Sequence, residues 1–153
     1  MNSTTFNRVL ILSASVGAGH VRAADALEHA FKKARAAAEV RHVDVLQLTN
    51  KLFRRLYAKA YLDLVNSSPE LLGWFYDYLD TPWKYDQRRL ILDKLNTRPF
   101  VKFLHEFEPD MIVCTHFLPA EIVSWLKAEN RLTCPQAIVV TDLDVHAMWL
   151  CRN

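Results

Sequence analysis

Residues 8–14, RVLILSA, form an unbroken apolar run that stops at Ser15-Val16-Gly17-Ala18-Gly19-His20. An apolar run this short, without alternation, needs apolar neighbours on both faces, which is the environment of an interior strand in a parallel sheet. The next segment changes period: Ala23, Leu27, Ala30, Phe31 and Ala34 recur at helical spacing, a narrow face able to lie close to a sheet. Residues 40–48, VRHVDVLQL, return to alternation with Val43 and Val45 on one side, which predicts the second strand of a strand-helix-strand unit. Met111–Thr115 and Ala137–Thr141 predict two further strands, each ending in polar residues. Between them a helix is expected from about Pro119 onward, through Ile122, Val123 and Leu126. The fold expected is α/β: a Rossmann-like parallel sheet flanked by helices, in one domain over residues 1–153.

In such a sheet the carboxyl ends of the strands gather at one edge, where ligands bind. That geometry predicts that His20, His116 and Asp142 are neighbours. Gly17 and Gly19 are two of three glycines in the chain, and both fall between the first strand and the first helix. Glycine permits close approach of backbone to a ligand, and the free N–H groups of a helix start favour phosphate or a developing anion. A plain tight turn would use the same residues, and the loop has neither the third glycine of GxGxxG nor the Lys-Ser/Thr of a P-loop. His20, at the mouth of the sheet, is of the type that takes a proton from a hydroxyl near neutral pH. Asp142 reads either as a carboxylate capping the turn after a strand or as a group orienting an acceptor or base.

The formal net charge of +2 is too small to indicate a nucleic-acid partner. Cys114, Cys134 and Cys151 include no CxxC pair and have no histidine at zinc-ligand spacing, so neither a disulfide framework nor a metal site is expected and a reducing cytoplasm fits best. No apolar run is long enough to span a membrane, so any membrane contact is expected to be peripheral.

Residues 50–108 keep a helical pattern broken by Pro69, Pro82 and Pro99, far more chain than a crossover helix requires. Within it Phe53, Leu56, Tyr57, Ala60, Tyr61 and Leu64 form one helical face, and Lys51, Arg54, Arg55 and Lys59 gather on the other. Trp74, Phe75 and Trp83 stand in the aromatic stretch that follows. Basic charge opposite an apolar face, with Trp and Tyr near it, suits docking on an anionic membrane surface; packing on the sheet would use the same periodicity.

Ser13 to His20 followed by Arg22-Ala23-Ala24, Pro109 to Val113 with Thr115-His116 and Pro119-Ala120, and above all Val140-Thr141-Asp142-Leu143-Asp144-Val145-His146-Ala147-Met148-Trp149 resemble the monogalactosyldiacylglycerol synthase and processive diacylglycerol glucosyltransferase family. The resemblance implies the amino-terminal, acceptor-side half of a GT-B fold. It also implies transfer of a hexose from UDP-glucose or UDP-galactose to diacylglycerol or a related lipid, with inversion, no tightly bound cofactor and no catalytic metal. Asp142 and Asp144 form Asp-Leu-Asp, yet they coincide with the family's metal-free segment. On this basis His20 and Asp142 are the catalytic candidates, and Gly17, Gly19, His116, His146 and Trp149 the acceptor- or phosphate-binding ones. Ala18 departs from the family loop, where glycine is common. The chain ends about a dozen residues after the last strand pattern without a helix to cover that side of the sheet, so a carboxy-terminal donor-binding domain is expected to be missing from it. The expected location is cytoplasmic, peripheral on the inner face of the cell membrane. Two other readings remain: a noncatalytic lipid-binding module, and a glycosyltransferase acting on another lipid-linked acceptor.

Overall fold

The computed structural model describes residues 6–55, 98–142 and 149–151. Its elements run β1 (Phe6–Ser13), α1 (Ala18–Ala34), β2 (Ala37–Asp44), a 3-10 turn (Val45–Leu48), α2 (Arg98–Phe107), β3 (Met111–Cys114), α3 (Phe117–Ala128) and β4 (Gln136–Ile138). The four strands form one parallel sheet in the order β2-β1-β3-β4. This is the expected α/β architecture, a parallel sheet flanked by helices, consistent with the amino-terminal half of a GT-B fold.

The apolar run of β1 is explained by its central place. Val9, Leu10, Ile11 and Leu12 are all fully buried, and alternate residues serve two separate cores. Leu10 and Leu12 pack with Phe100, Leu104, Leu118, Ile122 and Leu126, from α2 and α3. Val9 and Ile11 face the other way, onto Ala24 with Leu27 and Phe31 of α1. Because side chains alternate across a strand, one continuous apolar segment fills both faces.

The amino ends of β1 and β3 are clamped by Asp110, whose carboxylate accepts from the main-chain N–H of Asn7 at 2.7 Å and Arg8 at 3.0 Å. Arg8 returns the link by donating to the carbonyl of Phe107 at 2.7 Å.

Three expectations are corrected in detail. The second strand stops at Asp44 rather than Leu48, because the Asp44 carboxylate accepts from the Leu46 N–H at 3.1 Å and turns the chain into a 3-10 segment that buries Val45 and Leu46. The buried face of α1 is set by Ala24 with the larger Leu27 and Phe31, while Ala30 and Ala34 are exposed. The last strand is shorter than its β-rich run, although Val139 N–H still donates to Cys114 O at 2.8 Å. In the 50–108 segment, residues 51–55 and α2 are helical, and residues 56–97 lie outside the described part.

Candidate functional site

The loop from β1 to α1 leaves the carboxyl edge of the sheet at its centre. Gly17 caps α1 with φ 82° and ψ 159°, a backbone region that only glycine enters without strain, and no side chain caps the helix. Ser15, Gly17, Ala18 and Gly19 are exposed, at a helix start whose first-turn N–H groups have no acceptor within the helix. A Cβ at Gly19 would meet no atom within 4 Å; internal packing therefore does not require glycine there. The loop is held from the side by Asp44, which accepts from the Ser15 N–H at 3.1 Å.

His20, in the first turn of α1, points back under this loop and is only 7% exposed. Its Nδ1 lies 3.0 Å from the carbonyl of Thr115 and 2.5 Å from the hydroxyl of Thr141. Its Nε2 lies 3.7 Å from Oδ1 of Asp142, whose other oxygen accepts from Trp149 Nε1 at 2.8 Å. The His116 ring meets His20 edge to face at 4.5 Å. His116 also caps α3, its Nδ1 accepting from the Leu118 N–H at 3.0 Å. Phe117 packs edge to face on Trp149 at 5.9 Å.

The structure thus brings His20, His116 and Asp142 together beside the Gly17–Gly19 loop, as strand-end geometry predicts, and sets Trp149 against them. His116 and Trp149 are buried, at 2% and 3% exposure, so both stand behind the open face of the loop rather than on it. His146, with Asp144, falls outside the described residues, as do Lys59, Trp74, Phe75 and Trp83. Arg54 and Arg55 occupy the short helical stretch 51–55, started by Asn50, whose side-chain oxygen accepts from the Phe53 N–H at 2.7 Å. There Phe53 packs on the core, Arg55 is exposed, and Leu52 is 68% exposed. No helix among the described residues is long and apolar enough to cross a membrane.

Thr115 and Thr141, absent from the sequence-derived site, make direct contacts with His20. Each ends a β-rich run, and polar residues at the carboxyl ends of parallel strands were the signal available. Asp44 was likewise hidden inside a segment that reads as strand.

Two other clusters use side chains of functional type. Ser13 Oγ is 2.8 Å from His42 Nε2, and His42 Nδ1 is 2.9 Å from Asp25. Residue types match a nucleophilic triad, but Ser13 is fully buried and offers no nucleophile to a substrate. Asp25, Glu28 and His42 also set ligand-type atoms within 4.8 Å of one another. Their bonds to each other, to Ser13 and, from Glu28, to Lys32 at 2.9 Å account for them as a structural tie between α1, β1 and β2.

A central parallel sheet with a glycine loop and a His-Asp pair at its carboxyl edge is the arrangement of a Rossmann-like domain, whose ligands bind at that edge. The profile of the monogalactosyldiacylglycerol (MGDG) synthase family matches residues 20–153, from His20 onward, and the chain belongs to that family. It is 30% identical over 141 residues to a protein of Bacillus subtilis (strain 168) named uncharacterized glycosyltransferase YkoN, covering 91% of this chain and 37% of that protein. It is 29% identical over 147 residues to the processive diacylglycerol beta-glucosyltransferases of Bacillus thuringiensis (strain Al Hakam) and Bacillus cereus (strain AH187), covering 95% of this chain and 37% of each. The chain therefore spans little more than a third of the length of these relatives. No solved structure gives a significant match.

Proposed function

We propose that this chain is the acceptor-side domain of a membrane-associated glycosyltransferase that moves a hexose from a UDP-sugar to the free hydroxyl of diacylglycerol. The observation that carries the reading is the pairing of His20 Nε2 with Asp142 at 3.7 Å, beneath an uncapped helix start. In the reaction the lipid hydroxyl oxygen attacks the anomeric carbon, and its proton passes to Nε2 of His20. The bond from that carbon to the diphosphate breaks, and UDP leaves with the electron pair. Attack opposite the leaving group inverts the anomeric centre. Asp142 stabilises the imidazolium that forms, a charge-assisted contact made only as the proton arrives.

The loop at Gly17 and Gly19 offers main-chain N–H groups to phosphate oxygens. His116 and Trp149 support the reacting pair from behind, and His146 belongs to the same acceptor segment. The donor sugar is bound chiefly by a second, carboxy-terminal domain. Arg54, Arg55 and Lys59, with Trp74, Phe75 and Trp83, dock the protein on anionic lipid at the cytoplasmic face of the cell membrane.

The test is transfer by the native gene product, offered UDP-glucose or UDP-galactose with diacylglycerol in anionic liposomes, beside the His20→Ala variant. Glycolipid is expected from the wild type, with turnover reduced about 10²–10⁴-fold in the variant, the scale of general-base catalysis. Undiminished turnover in the variant would remove His20 from the mechanism. No product with either sugar, from folded protein that still binds liposomes, would favour a lipid-binding module or another acceptor.

A further inference from the structure

The two ring nitrogens of His20 have different surroundings. Nδ1 is flanked by the Thr115 carbonyl at 3.0 Å and the Thr141 hydroxyl at 2.5 Å. The Thr141 hydroxyl in turn donates its hydrogen to the same carbonyl at 3.0 Å. A carbonyl oxygen only accepts, and a hydroxyl whose hydrogen is already given away has only lone pairs left. The fixed acceptor at Nδ1 is therefore the Thr115 carbonyl, which a neutral ring satisfies only with its hydrogen on Nδ1, and the Thr141 hydroxyl, turned toward that carbonyl, accepts beside it. Nε2 meets no hydrogen-bond donor among the described residues, and the group facing it is the Asp142 carboxylate at 3.7 Å.

The same residues fix the ring in place. The Thr115 hydroxyl donates to the main-chain carbonyl of His20 at 2.8 Å and lies 3.3 Å from the carbonyl of Leu12. Thr115 N–H also donates to the Leu12 carbonyl, at 2.9 Å. The end of β1, the end of β3 and the start of α1 are thereby joined at the histidine. Thr141 reaches it from beyond the end of β4.

We propose that Thr115 and Thr141 are positioning residues that hold His20 as its Nδ1–H tautomer, so that Nε2 carries the lone pair and is the atom that takes the substrate proton. This rests on the reading of His20 as the base. The role usually given to a carboxylate behind a catalytic histidine falls here to a main-chain carbonyl and a hydroxyl. Asp142 is thereby left on the substrate side, where it acts on the charge that develops.

The experiment is nitrogen-15 NMR of histidine-labelled protein at a pH where the ring is neutral, with the His20 signals identified by their loss in His20→Ala, together with turnover of the native gene product. In the wild type, Nδ1 is expected to be protonated and Nε2 bare. Thr141→Val should lower the Nδ1–H fraction and reduce kcat about tenfold, the scale of one hydrogen bond, with KM for the lipid little changed. Thr141→Ser should restore both.

A wild-type ring protonated on Nε2 would overturn the inference without reference to any variant. So would Thr141→Val protein with wild-type tautomer, whatever its activity. Wild-type turnover in His20→Ala would instead refute the base reading and leave the tautomer measurement standing, so the two failures are separable.

Discussion

Asp142 accepts from Trp149 with one oxygen and sets the other 3.7 Å from His20 Nε2, and the Trp149 bond can be tested by itself. Trp149→Phe keeps a buried ring but deletes the Nε1–H donor; freed from that bond, Asp142 should be less well placed to stabilise the imidazolium of His20, and kcat should fall about tenfold while the lipid KM stays near its wild-type value. An unchanged kcat would mean that Asp142 is held by other contacts. At Cys114 the prediction concerns pH. Burial raises its thiol well above the ordinary thiol range. The folded chain therefore keeps a proton that the unfolded chain gives up at alkaline pH, and stability falls as pH rises past about 8.5, by up to about 1.4 kcal/mol per pH unit. Cys114→Ala should flatten that alkaline limb in urea unfolding followed at pH 8 and pH 10; an equally steep loss would assign it to other groups.

Where elements begin, single residues decide stability. His116→Ala removes the acceptor that caps α3 and should lower stability by about 0.5–2 kcal/mol, measurable by denaturant unfolding. Gly17→Ala forces a side chain into a backbone region essentially reserved for glycine and should cost about 1–3 kcal/mol, with wild-type stability meaning that the loop can relax. The same scale shows what was legible beforehand. The RVLILSA run carried the burial of β1 on both faces, since such a run satisfies two cores at once. The end of β2 was not legible, because Val45 and Leu46 continue an apolar pattern and only the bond from Leu46 N–H to Asp44 turns the chain. At the site, strand-end convergence foretold the meeting of His20, His116 and Asp142. The threonines were passed over because their contribution depends on which hydrogen-bond capacity is already spent, a fact visible only with the partners in place.

For the molecule as a whole, membrane docking by its basic residues would be salt-sensitive. Charge reversal at Arg54 and Arg55 should weaken sedimentation with anionic liposomes at low salt, and raising ionic strength should have the same effect on the wild type. Binding unchanged in both tests would place the lipid contact elsewhere.

The central position of β1 also governs the order in which the chain can fold. β2 pairs with it across a single helix, but the Asp110 clamp joins residues 103 positions apart, and Thr141 comes 121 positions after His20. Distant pairings of this kind form late. During synthesis β1, α1 and β2 can assemble early, while the face of β1 destined for α2 and α3 stays uncovered until those helices leave the ribosome. A nascent chain released before Thr115 would hold His20 on a formed helix with neither of its Nδ1 acceptors in place, and with the part of the β1 face that α3 covers still open to other chains.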